Sequence, residues 1–198
     1  VGGGAEDRRV AGRDHSVAVT SDGTVWTWGD NKYGQLGDNS SDTTRRSYPV
    51  RVLAGDAPDI SPLTEVKAVA ASDVHTIALK TDGTVWAWGG NSSGQLGLGN
   101  TATRRTAARV LDLNDVQAIT ARGDQSSPRT IVLRSDGSLW GWGDNRYCQL
   151  GDTVAALGSA LSTPVRLANL SHLGVSVNDI ANGDYHGIAR TPDGAAWT

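Results

Sequence analysis

Short runs of alternating apolar and polar residues recur along the chain, and the same dipeptide interrupts them each time. From His15 to Gly29 the sequence reads HSVAVTSDGTVWTWG: Val17 and Val19 alternate with small or polar residues, Asp22-Gly23 intervenes, and Val25, Trp26, Thr27 and Trp28 follow. A period of two predicts half-buried strands, and Asp-Gly between two such runs predicts a hairpin. The arrangement returns at Asp82-Gly83 and Asp136-Gly137, and in shortened form at Asp193-Gly194, giving steps of 60, 54 and 57 residues.

A two-residue type I′ loop at Asp22-Gly23 sets Val19 opposite Trp26 and Val17 opposite Trp28. The corresponding pairs are Leu79–Trp86 and Ile77–Trp88, then Leu133–Trp140 and Ile131–Trp142; the seventh tryptophan, Trp197, takes the first of these positions in the shortened repeat. The other strand face, carrying Ala18, Val25 and Thr27, is also mostly apolar, so each small sheet needs cover on both sides. A radial stack of sheets supplies that cover. An apolar run precedes the hairpin at Val66 to Ala71, Val116 to Ala121 and Val177 to Asn182. Another follows at Tyr48 to Val52, Ala107 to Val110 and Thr163 to Leu167. Pro49 and Pro164 at the start of two of these last runs fit an outer edge strand. The expected architecture is all-β, with propeller blades of four antiparallel strands in one domain over residues 1–198. Repeats fall near 1–52, 65–110, 115–167 and 177–198, the last incomplete.

The units HSVAVTSDGTVWTWGDNKYGQLG (His15 to Gly37), HTIALKTDGTVWAWGGNSSGQLG (His75 to Gly97) and RTIVLRSDGSLWGWGDNRYCQLG (Arg129 to Gly151) resemble repeats of the regulator of chromosome condensation family. The resemblance implies about three and a half blades of a seven-bladed β-propeller, in a family that acts mostly by binding proteins. Roles it implies include nucleotide exchange on a small GTPase with chromatin docking, enzyme inhibition and light sensing. Three residues depart from the pattern. Arg129 stands in place of the repeat histidine, Cys148 in place of Gly34 and Gly94, and Arg190 in place of an apolar residue, where it either stacks on Trp197 or marks a blade whose neighbour is missing.

Composition narrows the function further. A net charge of −3 argues against a nucleic-acid partner, and no apolar run is long enough for a membrane helix. Of the 18 basic residues 15 are arginine, a bacterial-looking bias. The chain starts without methionine and has one cysteine, Cys148. Together these favour a processed bacterial-type copy, secreted or on the cell surface. His15, His75 and His186 recur once per repeat and read as structural turn residues rather than metal ligands. Asp22, Asp82, Asp136 and Asp193 read as turn formers rather than acid/base pairs. GLGNTA (Gly97 to Ala102) lacks the strand and helix that a dinucleotide site needs. No catalytic motif, cofactor or metal site is expected, and the chain reads as non-enzymatic.

Candidate contact residues lie in loops. Arg45 and Arg46, with Arg104 and Arg105, form arginine pairs in equivalent loops of adjacent repeats and suit a carboxylate- or phosphate-bearing partner. Tyr33 and Tyr147 share one loop position and suit a protein interface. The expected function is a scaffold whose loop rim binds another protein. The alternatives are an exchange-factor-like regulator of a small GTPase, a proteinaceous enzyme inhibitor, and a structural cell-surface module. The incomplete ring suggests either a homodimer that completes it or the remainder of a longer chain.

Overall fold

The structure is a computed structural model that describes residues 8–151, 159–167, 177–183 and 186–197. The first sheet consists of β1 (Arg8–Ala11), β2 (His15–Val19), β3 (Val25–Gly29) and β4 (Arg46–Arg51), paired antiparallel in chain order. Two short strands follow, β5 (Leu53–Ala54) and β6 (Ser61–Pro62). The second sheet is built from β7 (Val66–Ala71), β8 (His75–Lys80), β9 (Val85–Gly89) and β10 (Arg104–Arg109). The third comprises β11 (Val116–Arg122), β12 (Arg129–Arg134), β13 (Leu139–Gly143) and β14 (Leu161–Arg166). The fourth has β15 (Asp179–Asn182), β16 (Gly187–Arg190) and β17 (Ala196–Trp197). The fold is all-β and consists of propeller-like blades, as the repeat predicts.

The segment between the first two repeats does more than connect them. β5 pairs in parallel with β10 through Ala54 and Ala107, and Gly55 N–H donates to Ala107 C=O at 3.0 Å. The second sheet thereby gains β5 and β6 and becomes six-stranded. An outer strand leaves a row of backbone groups unpaired, and the connecting chain pairs part of that row.

The hairpin register differs from the expected one by a single residue. Thr20 N–H donates to Thr24 C=O at 3.0 Å, and Gly23 N–H to Thr20 C=O at 2.8 Å. The loop therefore holds three residues, Ser21, Asp22 and Gly23, with Gly23 at φ 78° completing a bulge. Ala18 faces Trp26, Ser16 faces Trp28, Val19 faces Val25 and Val17 faces Thr27. A one-residue slip exchanges the two faces of a strand. Each sheet thus has one aliphatic face and one tryptophan face, instead of mixed pairs on one side. The same slip places Arg190 opposite Ala196 rather than Trp197, and Arg190 Nη2 lies 3.3 Å from Asp179 Oδ2.

Segregated faces explain how the sheets stack. Val17, Val19 and Val25 of the first sheet share a buried cluster with Val69, Ala78 and Trp88 of the second, with Trp86 packed against it. Ile77, Leu79, Val85 and Ala87 repeat the arrangement against Val132 and Trp142, with Trp140 alongside. Trp88 and Trp142 are fully buried. Hydrogen bonds cross the same seams. His15 Nε2 is 2.9 Å from Thr76 Oγ1, and the Trp88 indole N–H donates to Gln35 C=O at 2.9 Å. One junction later, His75 Nε2 is 3.0 Å from Thr130 Oγ1 and Trp142 donates to Gln95 C=O at 2.8 Å.

The third junction uses different residues for the same purpose. The position of Thr76 and Thr130 is Gly187 in the fourth sheet, so no hydroxyl is present. The fully buried Arg129 replaces the histidine and reaches further, donating from Nη2 to Gly183 C=O at 2.6 Å and His186 C=O at 3.3 Å. The two departures in the repeat compensate each other.

Candidate protein-binding rim

Strand direction assigns every connection to one of two rims. The Asp-Gly turns and the links between sheets lie on one. The turns that enter each hairpin (12–14, 72–74, 123–128) and the loops after the tryptophans (30–45, 90–103) lie on the other.

On the Asp-Gly rim the polar groups serve the turn itself. Asp22 Oδ1 accepts from Thr20 Oγ1 at 2.6 Å, Thr24 N–H at 3.0 Å and Thr24 Oγ1 at 2.9 Å. Trp26 then donates to Thr24 Oγ1 at 3.2 Å. Asp82 and Asp136 repeat the pattern with Thr84 and Ser138. Hydrogen bonds from Thr20 and Thr24 hold the Asp22 carboxyl down at about 2, and hydroxyl and backbone bonds lower Asp82, Asp136 and Asp193. Asp-Gly-Thr/Ser-x-Trp is therefore a unit in which each side chain fixes the next.

On the opposite rim the backbone is wired from below and the side chains are left outward. Asn31 Oδ1 accepts Leu36 N–H at 3.3 Å, and Gln35 Oε1 accepts Tyr33 N–H at 2.8 Å. Gln149 Oε1 takes Tyr147 N–H at 2.9 Å in the third sheet. Buried Asn and Gln side chains thus fix the backbone that carries each tyrosine. Tyr147 is 67% exposed. Tyr33 is partly exposed, with its Cβ against Gly90 and Lys32 Nζ 5.3 Å from its ring centre.

Tyr33 also lines two cavities. One, of about 310 Å³, is bounded by Tyr33, Val74, Gly90, Asn91, Thr103 and Gln125 among others. Its neighbour, of about 360 Å³, adds Arg13, Asp14, Asp30, Arg45, Asp73 and Asp124. A third, of about 390 Å³, lies toward the innermost strands and shares Arg13, Asp73 and Asp124. The ion pairs here are long: Arg13–Asp73 at 3.9 Å and Arg45–Asp30 at 3.7 Å. Burial raises the Asp73 carboxyl above the usual range against the pull of Arg13, and Asp124 and Asp14 raise it further. The entry-turn residues Arg13, Asp73 and Asp124 escape a repeat-based reading because they differ from one repeat to the next. Their place, just ahead of each repeat's histidine or Arg129, was the available signal.

The four arginines do not form one patch. Arg45 is exposed on this rim. Arg46 is tied into its own loop by Asp42 at 3.0 Å and Asp38 at 3.7 Å, its side chain only 13% exposed. Arg104 donates to Asp56 at 2.6 Å, and Arg105 packs against Gly34 of the preceding loop. Strand register accounts for the split: Arg46 and Arg104 both pair with a closing glycine, Gly29 and Gly89, so the two Arg-Arg pairs are offset by one position.

His15 and His75 line the junctions. Burial drives His15 down to about 4 and His75 to about 3, so both are neutral at ordinary pH. Among the described residues no group of three or more His, Cys, Asp or Glu side chains is placed to hold a metal, and no helix is long and apolar enough to cross a membrane. Cys148 keeps the positive φ of the glycines it replaces, at 57°, and is exposed. Gly34 and Gly94 are confined differently, because a Cβ there would meet the outer strand of the next sheet at 2.9 Å and 2.5 Å.

Comparison with known proteins places this arrangement. The chain is 31% identical over 191 residues to the ultraviolet-B receptor UVR8 of Arabidopsis thaliana, covering 96% of this chain and 40% of the receptor. It is 33% identical over 186 residues to the mouse E3 ubiquitin-protein ligase HERC2, covering 93% of this chain and 4% of the ligase. Among solved structures, human WBSCR16 superposes with a TM-score of 0.76 at 25% identity, over 96% of this chain and 46% of that one. Prp20p of Saccharomyces cerevisiae, whose structure was described with its binding properties to Gsp1p and histones, gives 0.71 at 25% identity, over 96% and 44%. The chain thus spans less than half the length of these proteins. They are eukaryotic, and this overturns the expectation of a bacterial-type copy that is secreted or displayed on the cell surface. The arginine bias and the missing methionine were poor guides, because composition carries no compartment signal of its own. Descriptions of the regulator of chromosome condensation (RCC1) repeat match residues 10–35 and 66–95, and again 82–126 and 136–190. The chain therefore belongs to the RCC1-repeat family, as a protein-interaction module of that type.

Proposed function

We propose that this chain binds a folded protein partner across the rim that carries Tyr33, Arg45 and the entry-turn residues Arg13, Asp73 and Asp124. One observation carries the reading: this rim combines a rigidly supported aromatic side chain, contiguous cavities and two arginines, Arg13 and Arg45, held only in long ion pairs. Aromatic and arginine side chains set in supported depressions are where interface energy concentrates. The action is non-enzymatic. The recurring carboxylates are engaged by their own turns, and the buried histidines are neutral and bonded across junctions.

A second reading makes the docked partner a small GTPase whose nucleotide release is accelerated. The family resemblance favours it over passive scaffolding, as does the likeness to Prp20p, a protein characterised for binding Gsp1p. Purified chain is added to small GTPases loaded with fluorescent nucleotide, with capture of each GTPase on immobilised chain measured in parallel. Capture that falls roughly tenfold or more in the Tyr33→Ala, Arg45→Ala double variant, with thermal melting unchanged, supports the rim. Faster release supports exchange, and capture without faster release leaves scaffolding. Capture indifferent to both substitutions overturns the rim assignment.

A further inference from the structure

One arginine beside the Tyr33 turn has no partner for its charge. Strand register fixes its place. The glycine that closes each tryptophan strand, Gly29, Gly89 or Gly143, pairs with Arg46, Arg104 or Leu161. The residue after that pair is Ser47 in the first sheet, Arg105 in the second and Ser162 in the third. The repeat accepts a serine at this position, and Arg105 is the exception.

The stem of Arg105 is anchored and its end is not. Its Cγ lies against Gly34, where a Cβ would meet it at 2.9 Å, and its C=O accepts Asn39 N–H at 2.9 Å. Gly34 follows Tyr33, so the side chain stands beside the turn that carries the tyrosine. The residue as a whole is half-buried. Nε is closed off from solvent without an acceptor, whereas the two Nη nitrogens reach solvent. Among the described residues no carboxylate pairs with this guanidinium, although Arg104 is held by Asp56 at 2.6 Å and Arg46 by Asp42 at 3.0 Å.

An enclosed N–H with no acceptor costs stability, and a guanidinium cannot shed its charge. Serine would remove both costs with a packing the fold already uses, since Ser162 lies against Gly94 as Arg105 lies against Gly34. A side chain fixed at its stem and open at its fork loses little further freedom when it binds an anion. The charge balance identifies that anion. One uncompensated positive charge matches a carboxylate, which is planar, singly charged and bound by two parallel hydrogen bonds. A phosphoryl group carries about −1.5 to −2 and calls for a second cation, and Arg104 and Arg46 are already committed.

We propose that Arg105 receives the carboxylate of an aspartate or glutamate on the protein that docks across this rim. The proposal rests on the rim reading and adds the chemistry of one contact.

A fluorescent peptide of alternating glutamate and glycine tests it, with matched peptides carrying glutamine or phosphoserine in place of glutamate. The chain is expected to bind the glutamate peptide saturably, the glutamine peptide roughly tenfold or more weakly, and the phosphoserine peptide no more tightly. Arg105→Ser is expected to weaken the glutamate peptide roughly tenfold or more while thermal melting holds or rises. Arg105→Lys keeps the charge without the fork and is expected to restore only part of the binding. Glutamate-peptide binding that is absent from wild type, or equal in Arg105→Ser, overturns the proposal. So does a melting point lowered by Arg105→Ser, which makes the arginine a structural residue. Tighter binding of the phosphoserine peptide through Arg105 overturns the carboxylate assignment. The peptide reads Arg105 alone, whereas capture by the Tyr33→Ala, Arg45→Ala variant reads the rim, so the two failures are told apart.

Discussion

The two rims are built from the same repeat and contain similar residue types, yet their polar groups are used differently. On the Asp-Gly rim, Asp22 accepts three hydrogen bonds from its own turn, and Val66 N–H from the next sheet donates to Gly23 C=O at 3.0 Å. Little chemistry is left over for a partner. On the opposite rim, Asn31, Gln35 and Gln149 act on the backbone beneath, while Tyr33, Arg45 and Arg13 face outward with no short ion pair. A recurring carboxylate therefore marks structure in this fold. The residues that change from repeat to repeat mark the candidate surface.

The largest break in that comparison comes from removing a junction that supports both rims. Trp88→Ala deletes a fully buried indole and its bond to Gln35, and is expected to cost about 3–5 kcal/mol. Thermal or denaturant unfolding measures the loss, and it should abolish binding along with folding.

Acid should loosen the junctions before it affects the Asp-Gly turns. His15 and His75 are held at about 4 and about 3 in the folded chain, against 6.5 for an ordinary histidine. The unfolded chain thus binds more protons between those values, so stability falls as pH drops from 6.5 toward 3, by about 1.4 kcal/mol per unit of depression. The turn aspartates, ordinarily at 3.8, are lowered, so their contribution is intact above that value and is lost as pH falls further, for Asp22 through about 2. Denaturant titrations at stepped pH should show stability declining well before pH 4. A flat profile down to that point would remove the neutral imidazoles from the account.

Smaller substitutions separate the rims from each other. Asp82→Ala should cost about 1 kcal/mol or less, because the carboxylate is exposed, and should leave partner capture unchanged. Cys148→Gly should stabilise by about 0.5–1 kcal/mol, since it relieves a positive φ at an exposed position.

The sheets and the inner strands of the second, third and fourth were legible because alternation and Asp-Gly are local signals, whereas β1 carries no such run. The register was not legible. Asp-Gly fits both a two-residue and a three-residue loop, and only the Thr20–Thr24 pairing decides between them. The added strands β5 and β6 were hidden for a similar reason, since Leu53, Ala54, Ser61 and Pro62 form strands only against a partner edge. Tyr33 and Tyr147 were legible as a shared loop position. The arginine pairs misled because a shared Arg-Arg dipeptide says nothing about strand register, which turns Arg46 inward and leaves Arg45 outside. Arg129 was visible as an exception, but its meaning required Gly187 across the junction.

Hydrogen exchange of the chain alone and with its captured partner tests the rim assignment most directly. The account predicts new protection at residues 12–14, 30–45 and 72–74, with the Asp-Gly turns at 21–24 and 82–84 unchanged. Protection confined to those Asp-Gly turns would place the partner on the other rim and contradict it.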